Sequence, residues 1–123
     1  AMQLAQWCSQ RSEFSAVHYP GLPSHPDHEI ARATLDGYGG MMAVVLAGGG
    51  GATERFISRL RLAAHAPSLG GVDTLVCEPR YTSHSHLTAA ARAAIGIPDG
   101  FVRVSVGIEN AEDLIADFTQ ALR

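Results

Sequence analysis

The stretch Met41-Met42-Ala43-Val44-Val45-Leu46-Ala47 is the longest apolar run of the chain, and four glycines, Gly48 to Gly51, follow it at once. It falls far short of the ~20 residues that cross a bilayer, and a short run closed by turn residues reads as a buried strand. The chain is therefore expected to build a sheet around an apolar core. At 123 residues it has the length of one domain with a sizeable core. Its 46% hydrophobic and 17% charged residues are those of an ordinary soluble protein.

Strand-like and helix-like segments mix along the rest of the chain. Leu4, Trp7 and Cys8 recur at helical spacing and predict a first helix that ends before Glu13. Phe14 to Tyr19 alternates and favours β, with Pro20-Gly21 as punctuation and a stiff loop to Pro23. Ser24 is the expected N-cap of a second helix, continuing through Ile30, Ala33 and Thr34 to a stop near Gly37. Thr53 is expected to cap a third, with Phe56, Ile57 and Leu60 on one face. Ala63 to Ala66 is too short to assign, and Val72 to Cys77 reads as a strand closed by Pro79. Thr88 to Ala94 reads as a helix stopped by Gly96, with a turn at Pro98-Asp99-Gly100. Phe101 to Val106 reads as a strand, and Asn110 as the cap of a last helix with Leu114, Ile115, Phe118 and Leu122 inward. There is no internal repeat and no long linker. The class is α/β or α+β, since periodicity does not fix strand direction.

Several chemistries fail on composition or context. A net charge of −3 with scattered arginines leaves no basic stripe for nucleic acid. All nine basic residues are arginines, so no Gly-Lys-Ser/Thr phosphate loop can follow the apolar run. The glycines do not make Gly-x-Gly-x-x-Gly either, and a flexible connection is the simpler reading. Ala66-Pro67-Ser68-Leu69-Gly70 approaches a nucleophile elbow, but glycines and a β-like run follow where a helix is required. His25 and His28 at a helix start suit loop anchoring better than zinc, and His84 and His86 complete no converging ligand set, so no metal site is assigned. Cys8 and Cys77 sit in apolar patterns as buried thiols. The N-terminus reads as no signal peptide, because Ser, Gln, Arg and Glu break up its apolar residues, and a cytoplasmic location is expected.

Arg103 stands apart. If Val102, Val104 and Val106 face one side of their strand, Arg103 and Ser105 share the other. That side is either an ordinary solvated face or a place where a guanidinium holds a carboxylate through two parallel hydrogen bonds.

Five segments in order carry a family resemblance: Val17 to Glu29, Gly37 to Met42, Ser68 to Leu75, Val102 to Glu109 and Glu112 to Ile115. Together they resemble the C-terminal domain of the Cys/Met-metabolism (trans-sulfuration) enzymes, which depend on pyridoxal phosphate. The resemblance implies α+β architecture: a mostly antiparallel sheet with helices on one face, residues 1–123 being a single substrate-binding domain. It implies γ- or β-elimination and replacement on sulfur amino acids or activated homoserine esters, in tetramers whose sites lie between domains and subunits. By this resemblance Arg103 binds the substrate α-carboxylate, Ser68 orients the cofactor lysine's amine, and Pro67 and Leu69 flank the site. Gly70 and Gly71 let backbone pass close to it. Two departures stand out: many γ-synthases and γ-lyases carry glutamate where this chain has Pro67, and Asp73 replaces the more usual glutamate, a small change at the rim. The cofactor is held as a Schiff base on a lysine, and with no lysine this chain alone is expected to bind none covalently and to be inactive. The lysine-bearing cofactor domain would be its partner; a freestanding remnant or docking module of the same fold is the alternative.

Overall fold

The computed structural model describes residues 1–123. Its helices are α1 (Met2–Ser9), α2 (His28–Thr34), α3 (Gly49–Arg59), α4 (Ala89–Ala94) and α5 (Ala111–Ala121). Its strands are β1 (Phe14–His18), β2 (Met41–Leu46), β3 (Ala64–His65), β4 (Leu75–Cys77) and β5 (Phe101–Ser105), with a 3₁₀ turn at Pro79–Tyr81. The strands form one sheet in the order β1-β2-β5-β4-β3. The first three neighbouring pairs are antiparallel and β3 runs parallel to β4. The architecture is α+β, as the resemblance implies.

The apolar run is the second strand of five, hydrogen-bonded on both edges, which is why it carries no polar residue. Met42, Val44 and Leu46 join Val102, Val104 and Val76 on one face. Leu4, Ala5 and Cys8 of α1, Phe56 and Ile57 of α3, and Phe118 and Ala121 of α5 close over that face. Phe14, Phe56 and Phe118 meet edge-to-face, with ring centroids 6.1 and 5.1 Å apart, the geometry that aromatic quadrupoles favour. Both cysteines are buried free thiols, and burial pushes the Cys8 thiol up to about 12 against the opposing pull of Arg11. No helix is long and apolar enough to cross a membrane.

Three expectations are corrected. α3 starts at Gly49, not at Thr53, which lies fully buried inside the helix with its hydroxyl donating to the Gly49 carbonyl at 3.1 Å. The glycines are therefore the first helical turn and no flexible connection. The Arg80 guanidinium lies against Gly50 where any Cβ would collide, donates to the Gly50 carbonyl at 3.2 Å, and pairs with Glu78 at 2.7 Å and Glu54 at 2.9 Å. Ser24 caps nothing: α2 begins at His28, after a series of turns, and buries only Ala31. The strand expected from Val72 shrinks to Leu75–Cys77, while the unassigned Ala63–Ala66 stretch supplies edge strand β3. The remaining helix signals agree with the structure. Thr88 accepts from Ala91 N–H at 3.2 Å and Asn110 accepts from Glu112 N–H at 2.8 Å.

Asp117 ties the helical layer to the sheet edge. Its carboxylate, 6% exposed, accepts the backbone N–H groups of Arg61 (2.8 Å), Leu62 (3.0 Å) and Ala63 (3.0 Å). Those residues lead directly into β3, and from β3 the chain enters the loop of residues 66–74.

Candidate functional site

Alternation along β5 places Val102 and Val104 in the core and turns Arg103 and Ser105 to the opposite face. There the register sets Arg103 in a row with His18, Ala43 and Cys77 from three other strands. His18, at the end of that row, stacks on Phe101 with centroids 5.8 Å apart. The 66–74 loop lies against this face. Arg103 Nη2 donates to the carbonyls of Pro67 (2.6 Å) and Ser68 (2.9 Å), and its Nε is buried with no partner.

What Arg103 lacks is a carboxylate. Arg32 and Arg92 each pair with one and Arg80 with two; of the six arginines outside any ion pair, Arg103 is the one whose guanidinium is hydrogen-bonded to the protein. Its guanidinium is held in place by two neutral carbonyls, which orient the fork without neutralising it.

The loop is fastened by groups that the sequence reading passed over. Gly70 takes φ +76°, a conformation that suits glycine, and its N–H donates to Ser105 Oγ at 2.9 Å. Thr74, fully buried, donates its N–H to Glu109 Oε1 at 2.6 Å and its hydroxyl to Glu109 Oε2 at 2.7 Å. The same hydroxyl accepts the Gly107 N–H at 2.9 Å, and Ile108 N–H reaches the Val72 carbonyl at 2.9 Å. A Cβ on Gly107 would run into Val72 and Asp73 backbone, so glycine is required for this close approach. Burial pulls the Glu109 carboxyl upward, but the hydrogen bonds from Thr74 and from its own backbone outweigh this and hold it below the usual range.

The other expected site residues fall around this frame. Pro67, Ser68, Leu69, Gly70 and Gly71 are all exposed. Leu69 is 56% exposed, and Val72 (62%) and Ile108 (82%) present further apolar surface on the adjoining segments. Gly71 faces open space, so nothing within these residues demands glycine there. Three of the four paired histidines make local hydrogen bonds. His28 Nδ1 bonds the Pro20 carbonyl at 2.8 Å, His25 Nδ1 accepts the Asp27 N–H at 3.1 Å, and His84 Nδ1 lies 2.8 Å from Ser83 Oγ. No group of three His, Cys, Asp or Glu side chains is placed to share a metal ion.

Fold and site together define an α+β domain that presents a guanidinium fixed by two carbonyls and free of any carboxylate, beside a fastened loop. The family described as "Cys/Met metabolism PLP-dependent enzyme" matches residues 1–123. A cystathionine beta-lyase of Coxiella burnetii is 44% identical over 122 residues, covering 99% of this chain and 32% of that protein. An L-methionine gamma-lyase of Pseudomonas putida is 42% identical over 123 residues, covering 100% of this chain and 31% of its own length. Among solved structures, cystathionine gamma synthase from Xanthomonas oryzae pv. oryzae in complex with cystathionine superimposes with a TM-score of 0.91 at 42% identity, covering 99% of this chain and 32% of that one. The chain belongs to the Cys/Met metabolism family of pyridoxal-phosphate-dependent enzymes. It spans about a third of the length of the curated relatives it matches.

The residues present do not fit the family's cofactor. No lysine amine exists among the 123 residues to join it. The glycine-rich start of α3, the one place resembling an anion cradle, is covered at Gly50 by Arg80.

Proposed function

We propose that these residues are the C-terminal substrate-binding domain of a trans-sulfuration-type lyase or synthase, and that Arg103 clamps the α-carboxylate of a sulfur amino acid or activated homoserine ester. The observation that carries this reading is the fixed guanidinium with no carboxylate of its own. A planar fork held by neutral acceptors keeps its full charge for an incoming anion, and its orientation is set before the ligand arrives. Ser68 lies in the same loop with its side chain exposed and its carbonyl on Arg103, which supports a role for its hydroxyl toward a ligand amine or the cofactor lysine. Pro67 and Leu69 border the entrance and bear on which side chain is accepted. The lysine, the cofactor and the chemistry belong to the partner domain, and the domain works only with it, in an oligomer of the kind the family resemblance implies.

The test is Arg103→Ala in the complete enzyme. Truncation leaves the substrate carboxylate without its partner, costing roughly 2–5 kcal/mol, or about 30- to several-thousand-fold in kcat/KM. Cofactor content and its absorbance stay as in the parent, because Arg103 makes no part of that attachment. Arg103→Lys restores activity only in part, since an ammonium cannot reproduce the fork. Near-normal efficiency of Arg103→Ala on every amino-acid substrate would return this residue to a solvated strand face.

A further inference from the structure

We propose that Thr74 and Glu109 are positioning residues for Arg103, acting through the 66–74 loop without touching the ligand; this rests on the carboxylate-clamp reading above. Arg103 takes its orientation from two carbonyls, those of Pro67 and Ser68, and both belong to a stretch that is exposed from Pro67 to Asp73. No core burial fixes that stretch. Its place is set by hydrogen bonds: Ala66 N–H to the Val76 carbonyl at its start, Gly70 to Ser105, Ile108 to Val72, and the group centred on Thr74 at its far end. Segments held by few buried contacts open at low free-energy cost, so each such bond bears directly on how often the carbonyls are in place.

Thr74 is the node. Its carbonyl accepts the Ala64 N–H at 2.9 Å, its N–H and hydroxyl donate to the two oxygens of Glu109, and its hydroxyl also accepts from Gly107. One residue thus joins β3, the far end of the loop and the turn that leaves β5, the strand carrying Arg103. Only a hydroxyl serves as donor to Glu109 and acceptor from Gly107 at once; valine has the same shape and does neither. Glu109, as an ionised carboxylate, takes both Thr74 bonds in the charge-assisted form. Loosening this group lets the Pro67 and Ser68 carbonyls wander. The guanidinium then loses its preset direction, and the cost falls on the carboxylate that needs that direction, leaving contacts to the rest of the ligand alone.

Comparing an acid with its amide tests this in the complete enzyme. Apparent affinities of L-methionine and L-methioninamide, as KM or competitive inhibition constants, are measured for the parent and for Thr74→Val, Thr74→Ser, Glu109→Gln and Arg103→Ala. Thr74→Val is expected to weaken L-methionine about tenfold, the worth of one charge-assisted bond, while L-methioninamide shifts less than about twofold. Thr74→Ser restores the preference for the acid, and Glu109→Gln, a milder change that serves if the valine variant does not fold, lies between. Equal weakening of acid and amide, or no change in either, overturns the positioning role. If Arg103→Ala itself fails to separate acid from amide, the clamp reading falls and this inference falls with it. If Arg103→Ala separates them and neither Thr74→Val nor Glu109→Gln does, the clamp stands and the positioning role alone is wrong.

Discussion

Replacing Asp117 by alanine tests whether the route from the helical layer to the site loop is held by one carboxylate. The carboxylate accepts three successive backbone N–H groups, Arg61, Leu62 and Ala63, and a fourth bond from Gln120 Nε2 at 3.0 Å. Alanine removes both acceptor oxygens, so all of these donors lose the carboxylate at once. Ala63 is buried, so its N–H would lose its partner without gaining water, at about 1–3 kcal/mol. Arg61 and Leu62 are exposed, water can replace the carboxylate there, and each loss is smaller, about 0.5–1.5 kcal/mol. A total near 3 kcal/mol is expected, which at ~1.5 kcal/mol per molar urea moves the unfolding midpoint down by about 2 M at pH 7. The pH dependence supplies a second check. Burial pushes the Asp117 carboxyl up, but the three N–H bonds and Gln120 outweigh it and leave it below its ordinary value. A carboxyl depressed in the folded state stabilises above its unfolded pKa, near 3.9, and that stabilisation is lost as pH falls through the folded value. The gap between parent and variant should therefore be widest at neutral pH and narrow as pH drops below about 4. A midpoint shift under ~0.5 M at pH 7, or a gap that stays constant into acid, would refute the reasoning.

Two further outcomes are expected. Pro67→Glu in the complete enzyme should lower KM for cystathionine relative to methionine, because a carboxylate at the entrance meets cystathionine's second amine, worth roughly 1–3 kcal/mol, while the backbone carbonyl at 67 still holds Arg103. An unchanged ratio would take position 67 out of substrate selection. The 123-residue chain mixed with pyridoxal phosphate should retain no borohydride-reducible adduct after dialysis other than on the Ala1 α-amine, which peptide mapping distinguishes, since it has no lysine; an adduct mapped to any other residue would contradict this.

The parts legible in the sequence were those where local chemistry and tertiary packing agree. β2 is apolar throughout because it is paired on both edges, and Asn110 and Thr88 cap helices through the oxygens their residue types offer. Sequence reasoning failed where a distant residue overrode local preference. Glycines disfavour helix, so Thr53 looked like the start of α3, yet Arg80 lies over Gly50 and Thr53 is an interior residue bonded back to Gly49. β3 escaped notice because both its residues are exposed and only its pairing with β4 defines it. At the site, alternation singled out Arg103 and Ser105. Thr74 and Glu109 stood in the quoted motifs but are 35 positions apart, and no spacing rule joins a threonine to a carboxylate at that range.

Sequentially adjacent strands that run parallel need a return path, ordinarily a dozen residues or more and usually a helix. β3 and β4 make that return through residues 66–74 alone. The circuit closes only because each strand is so short, and it leaves no slack. Inserting or deleting even one residue there would change the register of the edge pair or lift the backbone off Arg103. Any diversification of this surface must proceed by exchanging the outward side chains at 67, 69 and 72, with the length of the path held constant. An engineer seeking new specificity would do well to randomise those positions and to leave the count between Ala66 and Thr74 alone.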